Sequence, residues 1–185
     1  MNVKYFFFTL CSIIILLSCK DDVLPKPSAM LRLEYPEPNF KNFSTACPYE
    51  FKINEMAKVV DKKGCSYNID YPKMKASIFI TYKKIDGNLE DLLKDAQKLT
   101  YDHVVKAANI IEQPFVNEGD KVYGMFYQVS GNAASQSQFY ATDSLNHFLA
   151  GSLYFYAKPN YDSILPAADY IENDIRKMIE SLKWK

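Results

Sequence analysis

Cys19 stands where an uncharged run stops and charge begins, in Leu16-Leu17-Ser18-Cys19-Lys20-Asp21-Asp22. An apolar residue three places before a cysteine, with a small residue directly before it, suits one chemistry. The thiol takes a diacylglyceryl thioether. The small Ser18 lets a peptidase reach the bond ahead of Cys19, and the freed amino group is then acylated, as by palmitate. The upstream residues agree. Lys4 supplies one positive charge, and Tyr5 to Leu17 is uncharged and rich in Phe, Ile and Leu. That run is short of the about 20 residues a spanning helix needs and matches the apolar core of a secretory signal peptide. Residues 1–18 are therefore expected to be a signal peptide that is removed, with Cys19 lipidated. An ordinary signal peptide with a chance cysteine, or an uncleaved anchor, accounts for less of the pattern. Each buried methylene of a lipid contributes about 0.8 kcal/mol, so two or three chains hold a protein firmly at a membrane.

The other residues able to do chemistry are few. Of the 4 cysteines, Cys11 leaves with the peptide and Cys19 carries lipid, so Cys47 and Cys65 remain. An exported compartment supports disulfides, and these two are expected to pair. The rival, a metal pair, lacks a nearby histidine to complete a zinc site. His103 falls on an apolar helical stripe and reads as a core residue. His147 has Asp143 four residues earlier, which is either a general-base pair or the ordinary polar end of a hairpin. Ser135 and Ser137 have no G-x-S-x-G around them. P-loop, dinucleotide and H-E-x-x-H patterns are absent from the sequence, and its acids are scattered rather than clustered as calcium requires. No catalytic residue, metal or cofactor is expected. Hydrolytic chemistry would need Ser135, Asp143 and His147 to converge.

These residues must be positioned by the elements between them. Lys and Arg together number 22, as do Asp and Glu, so no basic excess points to nucleic acid or to anionic lipid. The 14 Tyr and 12 Phe favour strands. Residues 19–46 contain Pro25, Pro27, Pro36 and Pro38 and show no apolar period, which predicts an extended tether. Leu31-Arg32-Leu33-Glu34-Tyr35 within it could dock on the domain instead. Period-two alternation predicts strands over 49–53, 65–71, 75–82, 110–116, 122–129, 138–142 and 148–157. Pro72 marks a turn, and Pro114 marks an edge or irregular strand. Both faces of 148–156 are largely apolar, as in a central strand covered on each side. Leu89, Leu92, Leu93, Ala96, Leu99, His103 and Ala107 predict a helix to about Ala108, with Asn88 as N-cap and Asp91 in a weak capping box. Ile164 to Leu182 predicts a C-terminal helix with Pro166 in its first turn. The expected fold is α+β, a single domain over 47–185 with an antiparallel β-sheet packed with two α-helices. Its element order is similar to the Mog1/PsbP-like arrangement.

One connection differs from its surroundings. In Gly131-Asn132-Ala133-Ala134-Ser135 small and amide residues replace the flanking aromatics. It reads either as a flexible hairpin link or as a surface where a partner comes close to the backbone. Tyr123, Tyr127, Tyr154 and Tyr156 read mainly as sheet core, with some able to anchor an interface.

In order along the chain stand the Cys19 lipobox, Tyr35-Pro36-Glu37-Pro38, Cys47-Pro48-Tyr49-Glu50-Phe51 and Cys65 through Ala76. Gly131 through Ser135, Thr142-Asp143-Ser144, His147-Phe148-Leu149 and Leu182-Lys183-Trp184-Lys185 follow. Together they resemble the GldD gliding motility lipoproteins of the Bacteroidetes over nearly the whole chain. That resemblance implies a non-enzymatic lipoprotein needed for gliding. It implies partners among the envelope proteins that move surface adhesins, linked to type IX secretion, and a lipid anchor in the outer membrane. Lys20-Asp21-Asp22 also resembles a surface-export signal, which leaves the periplasmic and surface-exposed leaflets both open. The alternative function is a small-molecule or cell-wall binding module.

Overall fold

The computed structural model describes residues 33–102, 106–156 and 160–185. The strands are β1 (Phe40–Ser44), β2 (Tyr49–Asn54), β3 (Lys58–Asp61), β4 (Tyr67–Tyr71), β5 (Ala76–Lys84), β6 (Ala107–Asn117), β7 (Val122–Gly131), β8 (Ser135–Thr142), β9 (His147–Phe155) and β10 (Lys183–Trp184). The helices are α1 (Leu89–Tyr101) and α2 (Tyr161–Glu180). The fold is mixed α+β. Among the described residues it has a seven-stranded sheet in the order β3-β4-β5-β9-β8-β7-β6 and a three-stranded sheet in the order β1-β2-β10. All pairings are antiparallel, as hairpin-length connections dictate.

Side chains alternate across a strand, and the two sheet faces have different contents. One face carries Ile78, Ile80, Phe126, Phe139, Leu149 and Leu153 into the core with β2 and α2. The opposite face carries Tyr127, Gln138, Tyr140, Ala150 and Ser152 toward Ala96, Leu99 and Thr100 of α1. Strand β9 sits between β5 and β8 with both faces covered at Phe148, Leu149, Ser152 and Leu153. Gly151 permits this close packing. A Cβ there would lie 2.2 Å from the Phe139 ring, so the ring occupies the space of the missing side chain.

Several elements differ from the sequence reading. The segment expected as a tether, 19–46, contains β1, whose Phe43 pairs with Phe51 of β2. Leu33 and Tyr35 pack on the core, so the described part of this segment docks, and the folded region starts ahead of residue 47. Phe40 and Phe43 supply the apolar contact that a count of prolines conceals. Helix α1 ends at Tyr101, and Ala107 already belongs to β6. Alanine fits either period, so the stripe overran the helix. Asn88 is the N-cap residue without a side-chain cap bond. Its Oδ1 accepts the Asp86 N–H at 2.9 Å instead. Pro166 lies inside α2, which begins at Tyr161, rather than in the first turn. Pro114 does lie on an edge strand, β6, where a missing N–H is tolerated.

Candidate functional site

Cys19 and the charges behind it, and His103, lie outside the described residues. Cys47 and Cys65 form a disulfide with their Cα atoms 5.6 Å apart. It joins the start of β2 to the approach of β4, and so links the small sheet to the large one. Cys47 is buried, and the Tyr67 hydroxyl lies 3.0 Å from its sulfur.

Asp143, His147 and Ser135 do not form a constellation. Asp143 Oδ1 accepts the backbone N–H groups of Leu145, Asn146 and His147 at 3.0, 2.8 and 2.8 Å. Burial pushes its carboxyl up, but these three donors outweigh it and hold the group below the usual carboxylate range. The carboxylate thus serves the β8–β9 turn. The His147 imidazole bonds the Tyr82 hydroxyl through Nδ1 at 2.8 Å and stacks on Trp184 at 5.2 Å. Ser135 is fully buried, and its hydroxyl donates to the Ser137 carbonyl at 3.2 Å. Ser135 pairs with Tyr154 at the far end of β9 from His147. Seven residues of strand separate these ends, roughly 23 Å.

The connection at Gly131–Ser135 is only partly enclosed. Ala133 and Ser135 are buried, while Asn132 and Ala134 are exposed. Gly131 has φ +96°, and a Cβ there would come within 2.6 Å of the Ala108 nitrogen. The backbone closing on this glycine is the chain's own strand β6. Asn132 Oδ1 accepts the Tyr161 N–H at 2.9 Å, which ties the connection to the first turn of α2. Beyond it, the register between β8 and β9 shifts from Ser135 to Gln138, as in a β-bulge. Among the described residues Gln136 Oε1, Ser137 Oγ and Gln138 Nε2 are buried without a hydrogen-bond partner.

Sequence reasoning passed over a second polar group, centred on Asp174 of α2, which is 2% exposed. Asp174 Oδ2 accepts the Tyr71 hydroxyl at 2.8 Å and the Asn54 amide at 2.9 Å. The same amide donates to the Tyr170 hydroxyl at 3.1 Å, which itself donates to the Pro36 carbonyl at 2.9 Å. Burial pushes the Asp174 carboxyl up, against the lowering effect of its two donors. It likewise raises the Tyr71 hydroxyl, with the Asp174 charge adding to the effect. The signal was present in the sequence, because Asp174 stands on the apolar stripe of Ile171, Ile175 and Met178. An acid in such a stripe must find donors or stay protonated.

Beside this group lies an apolar pocket of about 280 Å³ between Pro36, Met56 and the Tyr71–Met74 turn. Among the described residues no three His, Cys, Asp or Glu side chains gather as a metal ion would require. Among them, too, no helix is long and apolar enough to cross a membrane.

The geometry thus defines an α+β domain whose chemically capable side chains hold turns, strands and the N-terminal segment in place. Residues 20–184 match the family described as gliding motility lipoprotein GldD, and the chain belongs to that family. No curated protein matches the chain.

Proposed function

We propose that this protein is a non-enzymatic envelope component of gliding, anchored by lipid on Cys19 and acting through contacts with other proteins of the gliding and type IX secretion machinery. The family is one of gliding motility lipoproteins and not a known enzyme family. The observation that carries the reading is the extent of the match, from residue 20 to residue 184. It spans the folded domain and the segment leading back to Cys19. The outer membrane is the proposed site of the anchor, and Cys47–Cys65 is proposed as its extracytoplasmic disulfide. The Gly131–Ser135 connection would offer a partner chiefly Asn132 and Ala134, with Gly131 partly exposed beside them. Deleting the gene in a gliding bacterium is expected to abolish colony spreading and adhesin movement, with recovery on complementation. Normal gliding in the clean deletion would contradict the proposal.

A further inference from the structure

We propose that the pocket at Pro36 and Met74 holds one large apolar side chain of an acidic segment in a partner protein. The proposal rests on the reading that this protein works through protein contacts. Pro36, Met56, Tyr71, Pro72 and Met74 form its apolar lining. Tyr71 and Met74 are each 1% exposed and form its buried back. Methionine adapts its shape to an inserted group. A volume of about 280 Å³ falls just under the roughly 300 Å³ at which pockets for drug-sized molecules begin. The space therefore suits a single anchoring side chain, the form in which interfaces concentrate affinity.

The walls are held from behind. Tyr71 donates to Asp174, and Tyr170 donates to the Pro36 carbonyl, with Asn54 joining Tyr170 and Asp174. A wall fixed before binding loses less freedom on binding.

The rim supplies the charge argument. Lys58 and Lys73 line the opening and are both exposed. Among the described residues neither takes part in an ion pair. The nearby acids form no ion pair with them. Asp70, opposite Lys58 in the ladder, accepts the Ser77 hydroxyl, and Glu37 and Glu55 flank Pro36 and Met56 in sequence without bonding either lysine. Two free cations around an apolar opening favour acids on each side of the inserted group. Two lysines fall short of the four to eight basic residues that mark anionic lipid binding.

The test uses the full chain in detergent micelles, with carbon-13 on the methionine methyls. The probe is the peptide acetyl-Glu-Asp-Phe-Asp-Glu-amide. The Met56 and Met74 signals are expected to shift saturably. Binding should weaken by about tenfold in Lys58→Gln/Lys73→Gln, since these rim charges complement the probe, while the unfolding temperature stays unchanged, because no like charge is placed opposite Asp70. Equal binding of the Gln-Asn-Phe-Asn-Gln peptide, of the Phe→Ala peptide, or by the double variant would overturn the proposal. So would phosphatidylglycerol vesicles shifting these signals where the peptide does not. In cells, the double variant at normal abundance should spread less than wild type. Full spreading by it, in a strain whose deletion does not spread, removes the pocket but leaves the gliding role. Spreading by the deletion itself removes the gliding role.

Discussion

The two faces of the large sheet are covered by helices of similar amphipathic pattern, yet they are built differently. Under α2 most contacts are aliphatic and aromatic, Ile171 and Ile175 are wholly buried, and Asp174, bonded to Tyr71 and Asn54, is the polar exception. Arg176 adds its guanidinium 4.3 Å over the Phe126 ring, a cation–π contact. Under α1, Thr100 is the buried residue of the helix, Leu99 remains 43% exposed, and the facing strand carries Gln138 and Ser152. The α2 face is stabilised by removing apolar area from water. The α1 face relies on a hydrogen bond from Thr100 to Gln138 Oε1 at 3.1 Å, and net bonds of this kind contribute only about 0.5–1.5 kcal/mol each. An apolar period alone did not predict how firmly a helix is held. What decided it was the content of the strand residues beneath.

The contrast can be broken most forcefully in α2. Ile175→Ala should destabilise the domain by about 2–5 kcal/mol in denaturant unfolding, through lost burial and a residual cavity. A loss comparable to that of a surface change would show that α2 is not the core helix. Next, reduction of Cys47–Cys65, a pair 18 residues apart, should lower stability by about 3 kcal/mol through the freed unfolded loop. The check is the unfolding midpoint with and without reductant.

On the α1 face, Thr100→Val should cost about 1–2 kcal/mol, because it leaves the Gln138 oxygen buried without its donor. Adding Gln138→Leu should recover most of that loss. If the pair merely sums, the hydrogen bond is not what joins α1 to the sheet. Leu99→Ala, at an exposed site, should change stability by at most about 0.5 kcal/mol.

Asp174 adds a prediction whose sign is set by burial. Its folded-state carboxyl is raised above the ordinary value, so the folded chain binds the proton more readily than the unfolded chain. Its contribution to stability is greatest below the unfolded pKa and falls as pH rises through the raised one. Asp174→Asn should remove that fall. An unchanged slope above pH 4 in the variant would contradict the assignment.

Much of this arrangement was legible in the sequence. Alternation located β2, β4, β5, β7, β8 and β9, because each buries one or both faces and repeats every second residue, and the strand read over 110–116 lies within β6. It missed β1, whose Phe40 and Phe43 are only partly buried among prolines and polar residues, and β10, where two residues carry no period. Strand β3 escaped because Lys58 and Asp61 frame only two valines. The pairing of Cys47 with Cys65 was readable by subtraction. The pocket was not, since Pro36, Met56 and Met74 are brought together by a docked N-terminal segment that resembles a linker. Asp174 was readable only as an exception within a helical stripe, and its partners Asn54 and Tyr71 lie more than a hundred residues away.

If this protein works in gliding from a lipid anchor, Cys19→Ala in a deletion strain must uncouple the chain from both the membrane and spreading. Colony spreading and membrane fractionation are read on the same cells. The Cys19→Ala chain is expected to leave the membrane fraction and fail to restore spreading, whereas a wild-type copy stays with the membrane and restores it. A Cys19→Ala chain that stays with the membrane and restores full spreading would contradict that expectation.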